Sequence, residues 1–345
     1  MNKQALSFMT LGVLLGVVLT SAAVSLIAGS SARASSTAAR SDREPVVLKL
    51  AHVLDPAHPV HQAIEFMAKR LAERSGGALR LEIFPNGQLG SETESIEQVQ
   101  RGALAMVKTS AAPLEGFIPE MAVFGLPYLF RDDEHYWRVL LGDIGQELLR
   151  SGADVGLRGL LYFDSGSRSF YTRGAPVRTP ADLQGKKIRV TRSKTAMDMV
   201  AAMGGAPTPI PWGELYTALQ QGMVDGAENN PPSLLSSRHF EVTTHFSLDE
   251  HTRGPDIILV SQKIWDALSP EARRWLSEAA GDAVAFQRKL WREKTAAALQ
   301  QLEAAGVTLH HPEKEAFRAR VQPMYDAVRN TRVGAIARRI REAGR

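Results

Sequence analysis

The sequence predicts an α/β protein of two lobes, with one long helix that braces both of them. Strands and helices alternate in the first half of the chain, and the same alternation starts again after residue 157. A strong helix start near residue 269 is followed by helical composition to about residue 306. A chain of 345 residues is long enough for two domains that each have a core.

The first half of the chain has the order β-α-β-α-β. Residues 46–53 are a near-continuous apolar run, which is typical of a strand buried on both faces. The elements that follow are a helix at 60–74, a strand at 79–84, a helix at 91–101 and a strand at 104–107. This order predicts a parallel sheet with helices on both sides.

The second half repeats this rhythm without repeating the sequence. We expect strands at 157–163, 187–191 and 257–261, and helices at 195–203 and 213–221. Ser269, Pro270 and Glu271 then supply an N-cap, a proline at the first helical position and an acid in the first turn. A helix from there to Gly306 would be on the order of 50 Å long, which exceeds one small lobe.

The N-terminus has the pattern of a secretory signal peptide. A charged start at residues 2–4 precedes an apolar run at 5–28, and residues 32–34 (Ala-Arg-Ala) match a small-x-small cleavage site. We therefore expect residues 1–34 to be removed, residues 35–45 to form a polar linker and the mature chain to be exported. An uncleaved membrane anchor is the alternative, because the apolar run is long for a signal peptide.

Composition excludes several classes of function. The net charge of +4 is small, and Arg and Lys are scattered among acids, so we expect no nucleic-acid partner. The chain has no cysteine, which excludes disulfides, thiolate metal sites and a cysteine nucleophile. The nearest approach to a metal site is the group His52, Asp55, His58 and His61, but Pro59 interrupts it and no further ligand is near. We expect no metal and no cofactor.

Two arginines point to a carboxylate-binding site. In the strand at 187–191, Arg189 lies opposite the apolar Ile188 and Val190. For an isolated arginine a solvated strand face would be the better interpretation, but Arg168 favours a binding site. Arg168 lies in a Gly- and Ser-containing segment, predicted as a loop, that follows the strand ending near Phe163. Open α/β sheets bind ligands outside the carboxyl ends of their strands. A guanidinium group matches a carboxylate with two parallel hydrogen bonds and stays charged when it is desolvated.

A turn-like segment at 225–232 adds polar groups to this site. It contains Asn229 and Asn230, whose amides both donate and accept hydrogen bonds and therefore suit a hydroxylated ligand. Pro231 and Pro232 follow and are expected to keep the segment stiff.

Seven segments, in family order and at family spacing, are similar to the DctP-like binding proteins of tripartite ATP-independent periplasmic (TRAP) transporters. They are 88–90, 125–130, 166–168, 179–190, 204–209, 213–220 and 224–230. The similarity extends from about residue 46 to residue 320. It implies a periplasmic protein whose two lobes, joined by a hinge, close on an organic acid and deliver it to membrane permease subunits. Lobe I is then expected at 46–166, 255–294 and 322–345, and lobe II at 167–254 and 295–321.

The resemblance also implies roles for individual residues. Arg189 matches the arginine that forms a two-point ion pair with the ligand carboxylate, Arg168 matches a second arginine, and Asn229 matches an asparagine that supports the same carboxylate. Trp212 matches an aromatic position that packs on the ligand. His52 and Glu92 fall near first-lobe positions that face ligand hydroxyls.

Lys108 departs from the family pattern, because an apolar or neutral residue is commoner there. It either contacts a ligand hydroxyl or a second anion, or it points to solvent; contact is the favoured interpretation.

The predicted lining of the site indicates the class of ligand. Polar groups for hydroxyls would come from Asn229, Asn230, His52, Glu92 and Lys108. Trp212 and Phe170 would cover an apolar sugar face. This lining predicts a hexuronate such as glucuronate or galacturonate; a C4-dicarboxylate or a 2-oxo acid is the alternative.

Two other classes of function compete with transport. A secreted enzyme acting on sugar acids would need a nucleophile, a matched acid–base pair or a metal, and the sequence presents none as a constellation. A binding protein of the same fold can also present its ligand to a membrane sensor.

Glu228 and His251 resemble a family pair beneath the site, for which we expect a structural hydrogen bond. We expect a monomeric binding protein and no enzymatic activity.

Overall fold

The computed structural model describes residues 44–344. The predicted signal peptide, and the predicted linker except for its last two residues, lie outside the described residues. Within 44–344, no helix combines the length and the apolar composition needed to cross a membrane.

Strands and helices alternate along most of this part of the chain. The strands are β1 Val46–Ala51, β2 Leu79–Phe84, β3 Met106–Ser110, β4 Leu157–Phe163, β5 Arg168–Thr172, β6 Lys187–Val190, β7 Ala206–Pro209, β8 Gly226–Asn229, β9 His245–Thr252, β10 Asp256–Ser261 and β11 Thr308–His310. The helices are α1 Pro59–Arg74, α2 Glu92–Arg101, α3 Ala111–Leu114, α4 Asp133–Leu141, α5 Asp143–Arg150, α6 Lys194–Ala202, α7 Leu215–Gln220, α8 Pro231–Ser236, α9 Gln262–Ala267, α10 Pro270–Ala304, α11 Lys314–Val328 and α12 Arg332–Glu342.

The first lobe is built on a five-stranded sheet of order β2-β1-β3-β10-β4. Strand β1 runs parallel to β2 and β3, whereas β10 is antiparallel to both β3 and β4. The predicted parallel sheet is therefore correct for the first three strands only, because β10 comes from the C-terminal half and inserts between β3 and β4. Along β10, Ile257 packs into the core on one face and Ile258 into the core on the other.

The second lobe is built on a six-stranded sheet of order β11-β9-β5-β8-β6-β7. Two segments predicted as a loop and a turn are strands in this sheet: β5 begins at Arg168, and β8 ends at Asn229 and leads into α8. Both strands are interior, since β5 lies between β9 and β8, and β8 lies between β5 and β6. Hydrogen bonding on both sides thus overrides the turn-like composition of these segments.

The long helix α10 contains 35 residues and begins as the sequence predicts. The Oγ of Ser269 accepts a hydrogen bond from the backbone N–H of Ala272 at 3.1 Å. The helix packs against α1 and β4 in the first lobe and against α8 in the second lobe. The prediction of two lobes braced by one long helix is confirmed.

Helix α10 also forms hydrogen bonds with the backbone at Asp164, where the chain leaves the first lobe. The chain passes to the second sheet between β4 and β5, and Asp164 is the first residue after β4. Gln287, fully buried in α10, accepts a hydrogen bond from the Asp164 N–H at 2.9 Å and donates one to the Asp164 carbonyl at 2.8 Å. One glutamine therefore satisfies both backbone groups of this crossover.

Replacing Gln287 should destabilise the fold. In Gln287→Leu both backbone groups of Asp164 lose their partner in a buried place, so we expect the free energy of unfolding to fall by about 1–3 kcal/mol. Urea denaturation monitored by circular dichroism measures this. Gln301→Leu, at an exposed position of the same helix, is the control and should change little. Equal losses in the two variants would show that the crossover does not depend on Gln287.

Candidate functional site

Both lobes contribute side chains to a cleft between the edges of the two sheets. Strands β3, β4, β6 and β8 end near this cleft, and the antiparallel strands β5 and β10 begin there. The lining residues are Val53, Leu54, His58, Glu92, Lys108, Ser110, Ser165, Arg168, Arg189, Thr191, Trp212, Asn229, Asn230, Ser233 and Asp256. Seven of the nine residues predicted from the sequence are in this set, and His52 and Phe170 are not.

Arg189, near the end of β6, is a buried cation that contacts no carboxylate in the described part of the chain. The residue is 2% exposed, and its Nε donates to the carbonyl oxygen of Ile210 at 2.8 Å. Within residues 44–344, its two terminal nitrogens make no hydrogen bond and no carboxylate lies within 4 Å of them. The guanidinium carbon lies 5.6 Å from the centre of the Trp212 ring. Burial lowers the pKa of Arg189 from its ordinary value, because it disfavours the charged form.

Arg168, in contrast, is almost fully occupied by the protein. Its Nε binds the Glu228 carboxylate, and its Nη2 donates to a Glu228 carboxylate oxygen and to the Glu228 carbonyl, each at 2.8 Å. Its Nη1 donates to the Oδ1 of Asn229 at 2.9 Å. Four of its five N–H groups are thus used, and one remains for the cleft. The solvated strand face considered for Arg189 does not apply, because that residue is buried.

A chain of charged groups continues beneath Arg168. Glu228 lies 3.5 Å from the Nε2 of His251, and the His251 Nδ1 lies 2.8 Å from the Asp249 carboxylate. Burial alone would raise the pKa of Glu228, but the charge of Arg168 and hydrogen bonds from His251 and Arg168 lower it to about 2. Burial alone would lower the pKa of His251, but Asp249 and Glu228 raise it to about 9. Alternating charges therefore fix Arg168 from below.

The two asparagines present their amide NH2 groups to the cleft. The Oδ1 of Asn229 accepts from Arg168 and from the N–H of Asn230, both at 2.9 Å. The Oδ1 of Asn230 caps helix α8 by accepting from the Ser233 N–H at 2.8 Å. Because both carbonyl oxygens are engaged, the NH2 groups are left as donors for an acceptor in the cleft.

The wall formed by the first lobe is polar and ordered. Lys108 is buried and its Nζ lies 2.9 Å from an Asp256 carboxylate oxygen, so it does not point to bulk solvent. Glu92 begins α2, and its Oε1 accepts from the Ser110 N–H at 2.8 Å and from the Thr109 hydroxyl at 3.2 Å. One ion pair and one anchored carboxylate therefore face the second lobe.

Two predicted site residues lie elsewhere. His52 has both ring nitrogens engaged: Nδ1 accepts from the Leu54 N–H at 3.1 Å, and Nε2 lies 2.9 Å from the Nδ1 of His61. Phe170 is fully buried in the core of the second lobe, where its ring centre lies 4.4 Å from that of His251. The expectations that these residues face a ligand are wrong, since neither reaches the cleft.

Sequence reasoning missed His58, Ser165, Ser233 and Asp256. His58 caps α1 through its Nδ1, and its Nε2 lies 3.2 Å from the Ser233 hydroxyl of the other lobe. Burial lowers the pKa of His58 well below its ordinary value, so the ring is neutral. Asp256 had a weak signal, as the single acid at the start of a buried apolar strand. Among residues 44–344, no group of three His, Asp or Glu side chains is arranged to hold a metal ion.

A family model and similar solved structures match this chain. Residues 50–331 match the family described as bacterial extracellular solute-binding protein, family 7. A solute-binding protein of Chromohalobacter salexigens is 38% identical over 272 residues, which cover 79% of this chain and 81% of that protein. A TRAP periplasmic solute-binding protein from a Bradyrhizobium species, in complex with α/β-D-galacturonate, is 43% identical with a TM-score of 0.83 and covers 86% of this chain and 99% of its own. Another, from C. salexigens with bound D-glucuronate, is 35% identical with the same TM-score and the same coverage.

The charged groups beneath the cleft predict a pH dependence of stability. The pKa of His251 is raised from 6.5 to about 9, so its contribution is complete below pH 6.5 and is lost as the pH rises through 9. The stability difference between the wild type and His251→Gln should therefore shrink by up to roughly 3 kcal/mol between pH 6 and pH 9.5. Urea midpoints at several pH values measure this.

Gln301→Leu, an uncharged substitution at an exposed position of α10, is the control for this pH series. Its stability difference from the wild type should stay constant with pH, because it removes no titratable group. A constant difference for His251→Gln as well would mean that folding does not shift the pKa of His251, and a difference that grows with pH would mean that the buried imidazole is neutral in the folded protein.

Proposed function

The chain belongs to the bacterial extracellular solute-binding protein family 7, and from this premise we propose that it captures a hexuronate in the cleft between its lobes. Galacturonate and glucuronate, which the two similar solved structures hold, are the favoured ligands. The observation that carries the proposal is the buried guanidinium of Arg189, which has no carboxylate partner within residues 44–344. A ligand carboxylate supplies the missing charge with two parallel hydrogen bonds.

The groups around Arg189 complete a carboxylate site. The remaining N–H of Arg168 and the NH2 group of Asn229 are donors in the same part of the cleft. Trp212 lies beside the guanidinium and offers an apolar face to the sugar ring. A carboxylate bound here would be surrounded by fixed donors, which need little reorganisation on binding.

The opposite wall supports a polyhydroxylated ligand. Glu92 and Asp256 offer acceptors and Lys108 offers donors, and each of these groups is already held by the protein. Asn230 adds a donor from the second lobe. A hydroxyl group both donates and accepts, so it can satisfy either kind of partner. A ligand with an apolar far end would cover these groups without using their remaining donors and acceptors, at a cost of about 1–3 kcal/mol for each one left unpaired.

We further propose that the protein acts in the periplasm, after removal of residues 1–34, and delivers its ligand to the membrane permease subunits of a TRAP transporter. Family membership supports this route. Presentation of the same ligand to a membrane sensor is the alternative, and the identity of the neighbouring membrane components distinguishes the two. A monomer fits a cleft whose walls both come from one chain.

Removing the counter-charge should abolish most of the affinity. Arg189→Ala is expected to weaken galacturonate binding by about 3–5 kcal/mol, or roughly a hundred- to several-thousand-fold, because the ligand carboxylate would be buried without a cation. Arg189→Lys should restore only part of this, since an ammonium group cannot make the planar two-point contact. Isothermal titration calorimetry gives the dissociation constants.

Arg178→Ala is a matched control, because Arg178 is an exposed arginine of the same lobe outside the cleft lining. It should bind galacturonate like the wild type. An Arg189→Ala variant whose dissociation constant lies within about threefold of the wild-type value would exclude Arg189 as the carboxylate partner.

The ligand class can be tested with the mature protein, residues 35–345. Galacturonate and glucuronate should raise its melting temperature more than succinate, malate or pyruvate, because a ligand that binds only the native state stabilises it. Mass spectrometry after hours of incubation should recover the sugar acid unchanged. A larger shift with a C4-dicarboxylate would replace the proposed ligand, and turnover in proportion to protein concentration would replace binding with catalysis.

A further inference from the structure

Lys108 and Asp256 form a buried ion pair in the wall of the cleft. Lys108 is on β3, Asp256 begins the antiparallel neighbour β10, and Asp256 pairs in register with Ser110. The Nζ and the carboxylate oxygen are 2.9 Å apart, and the two side chains are 3% and 6% exposed. Within residues 44–344, neither group has another oppositely charged partner within 4 Å.

The charges around the cleft are equal in number. The cations are Arg168, Arg189 and Lys108, and the carboxylates are Glu92, Glu228 and Asp256. Arg168 is neutralised by Glu228 and Lys108 by Asp256, so within residues 44–344 Arg189 is the one of these three cations with no carboxylate in contact. The cleft therefore has one cation available for a ligand anion, and it lies on the second lobe.

A second ligand carboxylate would meet an unfavourable environment at the first lobe. The charge of Lys108 is already compensated there, and Asp256 and Glu92 would both repel the anion. Like charges in a desolvated site cost several kcal/mol, whereas a hydroxyl at the same place can donate to Asp256 or accept from Lys108. Rejection of a competing ligand by unfavourable charge is a common source of specificity.

We propose that the Lys108–Asp256 pair sets the charge specificity of the cleft, so that it accepts acids with one carboxylate and several hydroxyls and rejects diacids. This inference rests on the proposed function, because it assumes that Arg189 holds the ligand carboxylate. It assigns Asp256, which the sequence did not single out, a role in specificity. It also makes Lys108 a donor to ligand hydroxyls and not the binding site of a second anion.

The test follows the ratio of the affinities for two ligands across variants of the wall. Galacturonate is a pyranose with a single carboxylate, and galactarate is the open-chain diacid of the same carbon skeleton. The difference between ring and chain is the same for every variant, so a change in the ratio reports on the charge of the wall. Asp256→Asn keeps the shape and an acceptor for Lys108 but removes the negative charge, which leaves Lys108 as a second available cation. We expect the ratio of galactarate to galacturonate affinity, measured by calorimetry, to rise by about tenfold or more.

Two further variants separate charge from shape. Lys108→Gln leaves Asp256 without a cation, so the ratio should fall below that of the wild type by about tenfold. The double variant with Lys108→Gln and Asp256→Asn has a neutral wall, and its ratio should return to within about threefold of the wild type. Asp154→Asn, at an exposed site of the same lobe, is the control and should leave the ratio unchanged.

The outcomes are decisive in either direction. Breaking a buried pair destabilises a fold, so Asp256→Asn should melt at a lower temperature than the wild type, and galactarate should restore more of the loss than galacturonate. If that variant does not fold, the Lys108→Gln ratio decides alone. Unchanged ratios in both single variants, with galacturonate still bound, would overturn this inference and leave the proposed function intact. A wild type that binds no uronate would overturn both.

Discussion

Arg189 is buried in the second lobe with one hydrogen bond to a carbonyl oxygen and, within residues 44–344, no carboxylate in contact. Moving a charge out of water costs several kcal/mol, and a carbonyl dipole and the nearby face of Trp212 recover only part of this. Burial of Arg189 therefore carries an electrostatic cost that an anionic ligand would remove. The arrangement of the other polar groups in the cleft can be understood from this cost.

Arg168 and the groups beneath it show why the cleft does not simply contain two free cations. Glu228 accepts three of the four hydrogen bonds that the Arg168 guanidinium donates within the protein. The Glu228 carboxylate in turn lies 3.5 Å from the Nε2 of His251. Arg168 therefore adds little net charge to the cleft. Its main contributions are one N–H group and a fixed position for Asn229. Two uncompensated guanidinium groups side by side would repel each other, and the buried carboxylate prevents this. The result is a rigid set of donors beside a single available charge.

The sequence predicted the two lobes, the long helix and the positions of both arginines, because the signals for them are local. Strand-length apolar runs, with the rule that ligands bind at the carboxyl ends of strands, placed Arg168 and Arg189 at one edge. The Ser269 cap located the start of the long helix. The positions that failed depend on partners distant in sequence. The strand at Arg168 is defined by pairing with β8 and β9, and Asp256 meets Lys108 only because β10 inserts next to β3. His52 was expected at the site from the family resemblance, and no local pattern shows that its ring pairs with His61.

The two lobes also touch each other directly, and these contacts clarify what the ligand must do. His58 reaches Ser233 across the cleft, and the Glu115 carboxylate accepts hydrogen bonds from the hydroxyl and the N–H of Thr195 at 2.6 and 3.0 Å. Such contacts are the same for every ligand, so they set the stability of the closed arrangement without selecting what it contains. Selection requires a ligand that binds the closed arrangement better than the open one. Under the proposed function, a carboxylate alone would engage the second lobe, whereas a carboxylate joined to hydroxyls at the far end would engage both. Only the second kind of ligand would then gain free energy from closure.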